Sequence, residues 1–239
     1  MREALRAGRV DAMLVSGMNN IRYLSGFSGS SAYILITAGR KFFLTDSRYA
    51  SQARDEVKGY RIKIYSKALE AINGVVVSEK AGSVAFESDF VTHDAFLKLK
   101  KQLHGVKLKP MPGVAGKARV RKEPVEIERI RESARILDIG FEEAARVIRA
   151  GVTEKKAAAL IEMAFREAGA DGIAFDTIVA SGERAALPHG KASDRKIRKG
   201  DLVVVDMGVI LNGYNSDGTR TFCVGRPSAV ESSRQAFPS

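Results

Sequence analysis

Two aspartates, Asp206 and Asp217, and one histidine, His189, have the surroundings in this 239-residue sequence that suggest chemistry. Asp206 closes the apolar run 202–205, and Asp217 lies beyond Asn212-Gly213, the dipeptide that most strongly favours a two-residue hairpin turn. With Asn212 and Gly213 as the loop, Asp206 falls opposite Thr219, and Asp217 projects from the same face two residues earlier. Two carboxylates so placed on an apolar sheet repel each other, so either one holds a proton or a cation neutralises the pair. An oxygen-rich site suits Mn²⁺, Mg²⁺ or Co²⁺, and paired metals roughly 3.5–4 Å apart are a common means of activating water. A plainer reading fits these residues equally well: both aspartates serve the hairpin, paired with Arg220 or with backbone N–H groups. His189 stands in Leu187-Pro188-His189-Gly190, a loop in which an exposed imidazole can exchange protons near neutral pH. Most lone loop histidines do nothing of the kind, and His93 and His104, in polar surroundings, are assigned no role.

The elements that must position these residues follow from periodicity. The segments 175–180, 201–211 and 214–224 read as strands. Ahead of them, Glu123-Pro124 opens a helix, since proline at its first turn forfeits only an N–H that has no partner there. Ile127, Ile130, Ala134, Leu137, Phe141, Ala144 and Ile148 step by three or four and predict its buried face, with Gly151 as its stop. Thr153 is placed to cap a second helix that ends at Gly169. The first half alternates the short apolar runs 12–15, 32–37, 41–45, 61–65 and 83–86 with polar or helical stretches, which is an α/β pattern. A surface helix over 89–103 precedes a boundary near residue 110.

Composition narrows the class. With 45% hydrophobic and 28% charged residues the chain is an ordinary globular one. Cys223 is its only cysteine, so no intramolecular disulfide forms and a reducing cytoplasm is expected. The opening residues mix Arg2, Glu3, Arg6, Arg9 and Asp11 among apolar ones, unlike a secretory leader, and no apolar run is long enough to span a membrane. The net charge of +11 is concentrated between Lys98 and Lys122, which holds nine basic residues and no acidic one. That stretch contains two prolines and three glycines and no aromatic residue, so it reads as a basic linker over 111–122 rather than a nucleic-acid surface.

The string Val203-Val204-Val205-Asp206-Met207-Gly208, followed by Gly213-Tyr214-Asn215-Ser216-Asp217-Gly218-Thr219-Arg220-Thr221, resembles the metal-binding hairpin of the aminopeptidase P and prolidase family of proline-specific metallopeptidases. Phe175-Asp176-Thr177-Ile178-Val179-Ala180-Ser181-Gly182 and Leu187-Pro188-His189 are similar to the strand and histidine loop upstream of that hairpin. Asn20-Ile21-Arg22-Tyr23-Leu24-Ser25-Gly26-Phe27-Ser28-Gly29-Ser30 and Leu44-Thr45-Asp46-Ser47-Arg48-Tyr49 are similar to the family's creatinase-like leading domain, which methionine aminopeptidases of the same catalytic fold lack. The likeness runs to about Gly225.

The resemblance implies an α/β architecture: a creatinase-like N-terminal domain over 1–110, the linker, and the first half of a pita-bread catalytic domain over 123–239. It implies metal-dependent hydrolysis of Xaa-Pro peptide bonds, with two divalent ions (Mn, Co or Zn) in the complete site. Asp206 would chelate or bridge, Asp217 would bridge, and His189, as the catalytic histidine, would donate a hydrogen bond to substrate or tetrahedral intermediate. The family's three later ligands, a His and two Glu, have no match in 226–239, so this chain is expected to be truncated and inactive alone. A proline-containing peptide is the implied partner and a homodimer the implied assembly. Two alternatives remain: a non-catalytic pita-bread module that binds protein or nucleic acid, and a metal-free creatinase-like C–N hydrolase in which His189 transfers protons.

Overall fold

A computed structural model describes residues 2–225, and they divide into two compact units, residues 2–121 and 122–225. Residues 226–239, in which the later metal ligands of the family have no match, lie outside the described residues.

The first unit contains, in chain order, α1 (Arg2–Gly8), β1 (Ala12–Val15), α2 (Met18–Ser25), β2 (Ala32–Thr37), β3 (Lys41–Asp46), α3 (Ala50–Glu56) and β4 (Arg61–Tyr65). There follow α4 (Ala68–Ser78), β5 (Ser83–Phe86), α5 (His93–Gln102), β6 (Lys107–Pro110) and α6 (Val114–Val120). Its six strands form one mixed sheet in the order β4-β3-β2-β1-β5-β6. Helices cover both faces, which is why β1 reads as an unbroken apolar run. Ala12 and Leu14 face Ile72, Val75 and Leu99 of α4 and α5, while Met13 and Val15 face Leu5, Ile21 and Ala53 on the other side. Residues 111–122, expected as a connecting segment, include the helix α6; its Ala115 is fully buried, and Met111 and Val114 pack on the core of this unit.

The second unit comprises α7 (Pro124–Val147), α8 (Glu154–Glu167), β7 (Gly172–Ile173), β8 (Ile178–Ser181), a 3-10 turn (Gly182–Ala186), β9 (Leu202–Leu211) and β10 (Tyr214–Cys223). Both β7 and β8 pair with one edge of β9, and β10 pairs with the other. Pro124 opens α7 as expected, with Glu126 reaching back to accept the Glu123 N–H at 2.9 Å. Thr153 caps α8 by accepting from the Lys156 N–H. Strand β8 begins at Ile178, three residues later than the apolar run suggested.

The buried face of α7 also departs from expectation. Leu137 and Ala144 are buried as the periodicity predicts, but Ile127 is 40% exposed, and Ser133, Ile136, Gly140 and Val147 complete the inward stripe. Small and polar residues are drawn inward because α7 approaches its neighbours closely. Ser133 Oγ donates to the Val209 carbonyl of β9 at 3.0 Å, and Ser216 Oγ of β10 donates to the Ser133 carbonyl at 3.1 Å. At Gly140 a Cβ would lie 2.2 Å from the Phe165 ring of α8, so glycine is what permits this crossing. Gly140→Ala should destabilise the protein by about 1–3 kcal/mol despite alanine's better helix propensity. Urea denaturation would show it as a lower midpoint, and an unchanged midpoint would mean that the Phe165 ring moves aside freely.

Candidate functional site

The β9–β10 hairpin turns on Asn212 and Gly213, whose φ values of 52° and 77° are the positive pair that a type I′ turn demands. The Asn212 N–H is further held by Asp171 Oδ2 at 2.6 Å. From this turn the register runs without a break and sets Asp206 opposite Thr219 and Asp217 opposite Gly208. Along β9 the odd-numbered Val203, Val205, Met207 and Val209 enter the core beneath α7 and α8. Along β10 the even-numbered residues face α7: Ser216 bonds to Ser133, and at Gly218 a Cβ would lie 3.0 Å from Leu137. Asp206, Asp217 and Thr219 therefore project from the opposite, open face.

On that face Thr219 Oγ1 donates to Asp206 Oδ1 at 2.6 Å, which fixes one carboxylate oxygen and leaves the other available. Asp217 is exposed, and no hydrogen bond or ion pair engages its carboxylate among the described residues. Arg220, the cation that the plainer reading offered as a partner, is turned the other way. Its guanidinium lies 4.8 Å from the centre of the Phe141 ring of α7 and donates to the Thr219 carbonyl. The two carboxylates thus share a face as diagonal neighbours, and neither forms an ion pair among the described residues. Beside Asp217, the Phe175 ring lies over Gly208, where a Cβ would come within 2.7 Å of it. Phe175 was read from the sequence only as the start of a strand; its position beside the carboxylates depends on the chain bend between β7 and β8, which carries no residue signature of its own.

His189 is exposed in a turn closed by the Gly190 N–H donating to the Leu187 carbonyl at 3.2 Å. Gly190 sits on Ala180, where a Cβ would lie 3.2 Å from the alanine methyl group. Ala180 pairs with Val204, two residues from Asp206, so this loop rests on the same open face as the aspartates. No hydrogen bond joins His189 to either of them, and no group of three or more His, Cys, Asp or Glu side chains able to hold a metal gathers among the described residues. The structure brings the two aspartates together and leaves the histidine on a neighbouring loop.

Two further carboxylates brace this region. Asp201, just ahead of β9, meets the guanidinium of Arg195 with both oxygens and also accepts the Arg198 N–H at 2.8 Å. Arg195 in turn donates to Ser181 Oγ at the end of β8. Burial raises the Asp201 pKa, but the bonds from Arg195 and Arg198 outweigh it and hold the carboxyl below its ordinary range. Glu154 at the start of α8 behaves alike: burial opposes ionisation, and hydrogen bonds from Ser193 and Ser181 more than offset it. Gly182, at φ 58°, passes so close to this cluster that a Cβ would meet Arg195 and Asp201 within 3 Å.

With the fold and site in view, the relationships of the chain are clear. Residues 1–121 match the model of the creatinase/prolidase N-terminal domain, and residues 128–237 match that of metallopeptidase family M24. An Xaa-Pro dipeptidase of Pyrococcus horikoshii is 35% identical over 95% of this chain and 63% of its own length. A solved Xaa-Pro dipeptidase from Bacillus anthracis superposes with a TM-score of 0.93 at 35% identity, covering 97% of this chain and 65% of that one. An X-Pro aminopeptidase from Thermotoga maritima gives 0.88 at 35% identity, covering 95% of this chain and 67% of that one. The two units are thus a creatinase-like domain and part of a pita-bread domain. The chain belongs to the aminopeptidase P and prolidase branch of metallopeptidase family M24, and it spans 63% of the length of the Pyrococcus horikoshii dipeptidase and 65% of that of the Bacillus anthracis one. No helix among the described residues is long and apolar enough to cross a membrane.

The ion pair of Asp201 yields a pH-dependent expectation. Its folded-state pKa lies below its unfolded one, so stability it contributes is complete above about pH 4 and is lost as pH falls through the folded value. Asp201→Asn should cost about 1–3 kcal/mol at neutral pH and flatten the acid limb of a stability–pH curve. Denaturation midpoints between pH 7 and pH 3 would check it; parallel curves for the two proteins would refute the assignment.

Proposed function

We propose that the protein acts as a metal-dependent peptidase on Xaa-Pro bonds, with Asp206 and Asp217 as metal ligands and His189 as the catalytic group that meets the substrate. The observation that carries this reading is the pair of carboxylates on one open sheet face, neither of which forms an ion pair among the described residues. A divalent ion satisfies such a pair in a way that neither Arg220 nor the backbone does here.

The residues divide the work as follows. Thr219 orients the Asp206 carboxylate by donating to one of its oxygens and keeps the other free for a ligand. Asp217, on the neighbouring strand, supplies the second anionic ligand, about 7–8 Å away between backbones by the diagonal of the register. The bound metal would supply Lewis acidity toward the scissile carbonyl and a water acidic enough to attack near neutral pH. His189 donates a hydrogen bond to the substrate or to the oxyanion that develops as the carbonyl becomes tetrahedral. Phe175 offers an apolar wall beside the carboxylates, suited to a substrate with an apolar side chain. The described residues provide two metal ligands only, so by themselves they hold a divalent ion weakly and do not turn over substrate. The cytoplasm as the site of action and a homodimer as the assembly belong to the same reading.

Two measurements test it. Mn²⁺ titration of the 239-residue chain, followed by electron paramagnetic resonance, should show weak binding, at about 0.1–1 mM, that Asp206→Asn or Asp217→Asn abolishes. A chimera should also be made in which residues 122–225 replace the matching segment of the Pyrococcus horikoshii Xaa-Pro dipeptidase. It should hydrolyse an Xaa-Pro dipeptide only with added metal, and His189→Ala should lower its kcat by about 10²–10⁴-fold. Hydrolysis that survives complete chelation, or Mn²⁺ binding indifferent to both aspartates, would sink the proposal.

A further inference from the structure

The loop that carries His189 forms no helix or strand between the 3-10 turn and Ser193, yet both of its ends meet at one side chain. Glu154 is the first residue of α8 and is completely buried. Its Oε1 accepts from the Ser181 N–H at 2.8 Å and the Ser181 hydroxyl at 2.7 Å, where the chain leaves β8. Its Oε2 accepts from Arg184 Nε at 3.1 Å on the outgoing side. The same oxygen accepts from the Ser193 N–H at 3.0 Å and the Ser193 hydroxyl at 2.6 Å, where the chain returns. Five donors from residues 181, 184 and 193 thus converge on one carboxylate, with His189 between them.

Helix formation does not explain this arrangement. The capping position of α8 is already served by Thr153, whose hydroxyl accepts from the Lys156 N–H. A glutamate in a first helical turn can favour the helix from the surface, through the partial positive charge there, without being buried. Removing a carboxylate from water is costly unless its lone pairs are filled, and here they are filled entirely by the loop. The remaining ties reinforce the closure. Arg184 donates to the Lys191 carbonyl, Lys191 Nζ pairs with Asp176 at 2.9 Å, and the Lys155 N–H donates to the Ser193 carbonyl at 3.0 Å. With its ends pinned and Gly190 seated on Ala180, the short span around His189 has few ways to move.

We infer that Glu154 is a positioning residue for His189: its carboxylate closes the loop 181–193 and so holds the imidazole over the open face that bears Asp206 and Asp217. The inference rests on the reading of His189 as the group that meets the substrate. Glu154 itself is remote from that chemistry and acts only through the loop.

Glutamine at this position keeps the size of the side chain but replaces one acceptor oxygen with an NH₂ group, so one of the two sets of donors then faces another donor. The test is NMR on the 239-residue chain, whose three histidines give few ring signals, with His189→Asn to identify the one in question. Glu154→Gln should shift or broaden the His189 ring resonance and leave His93 and His104 in place. Amide exchange at Ser181 and Ser193 should quicken about tenfold or more, with the amides of the β9–β10 hairpin unchanged. Ser193→Ala, which removes one donor and is the milder lesion should glutamine prevent folding, should move the same ring signal to a smaller extent. An unmoved His189 ring in both variants, or an equal loss of protection throughout the hairpin, would overturn the positioning role while leaving the peptidase reading intact. Conversely, a chimera whose hydrolysis is indifferent to His189→Asn would overturn that reading, and the clamp's catalytic purpose with it, even if the ring moved.

Discussion

The register of the β9–β10 hairpin is the constraint on which the second unit depends. A strand pair has a side-chain period of two, so a slip by one residue would carry Val203, Val205, Met207 and Val209 out of the core and turn Asp206 into it. Burying that carboxylate beneath α7 would cost several kcal/mol, as would exposing four apolar side chains. The turn at Asn212-Gly213 and the burial pattern therefore enforce the same alignment independently. The shared face of Asp206 and Asp217 is a by-product of that alignment: the residues that anchor the sheet and the residues available for chemistry occupy alternate positions on the same two strands.

Within each unit, a buried carboxylate ties down a segment where the chain passes between regular elements. Glu154 does so in the second unit, and Glu87 does so in the first. Glu87 Oε2 accepts the Ser16 and Gly17 N–H groups at 2.8 Å each, and Oε1 accepts from the Asn20 amide at 2.7 Å, at the start of α2. In both cases a nearly or fully buried acid is satisfied by donors from a neighbouring segment, and removing it would strand those donors away from water. Loops bound in this way can present exposed side chains from a defined position, which a functional loop requires and a freely moving one does not supply.

Several features could be read directly from the residues. The hairpin turn, the opposition of Asp206 and Thr219, the proline start of α7, the threonine cap of α8 and five of the six strands of the first unit rest on local rules, in which a residue's conformational preference or alternation decides the outcome; the exception is β6, whose Lys-Leu-Lys-Pro carries no apolar run. The inward face of α7 could not be read in this way. Periodicity favours the bulkiest apolar residues, so Ile127 was expected inside, whereas close packing against β9, β10 and α8 draws in Ser133 and Gly140. The segment after Pro110 is rich in glycine and lysine and reads as a linker; the helix α6 exists there because Ala115 and Val114 find a core to pack against.

The sequence by itself set Asp206 and Asp217 on one face, because hairpin geometry needs only neighbours in the chain. Where His189 stands, that Phe175 flanks the carboxylates, that Arg220 is turned away over Phe141, and that Glu154 closes the histidine loop were decided only by tertiary structure. Each of these depends on contacts between residues separated by tens of positions or on a bend with no residue signature. Their energies come from burial and from filling hydrogen bonds, which exist only once the chain has folded around them.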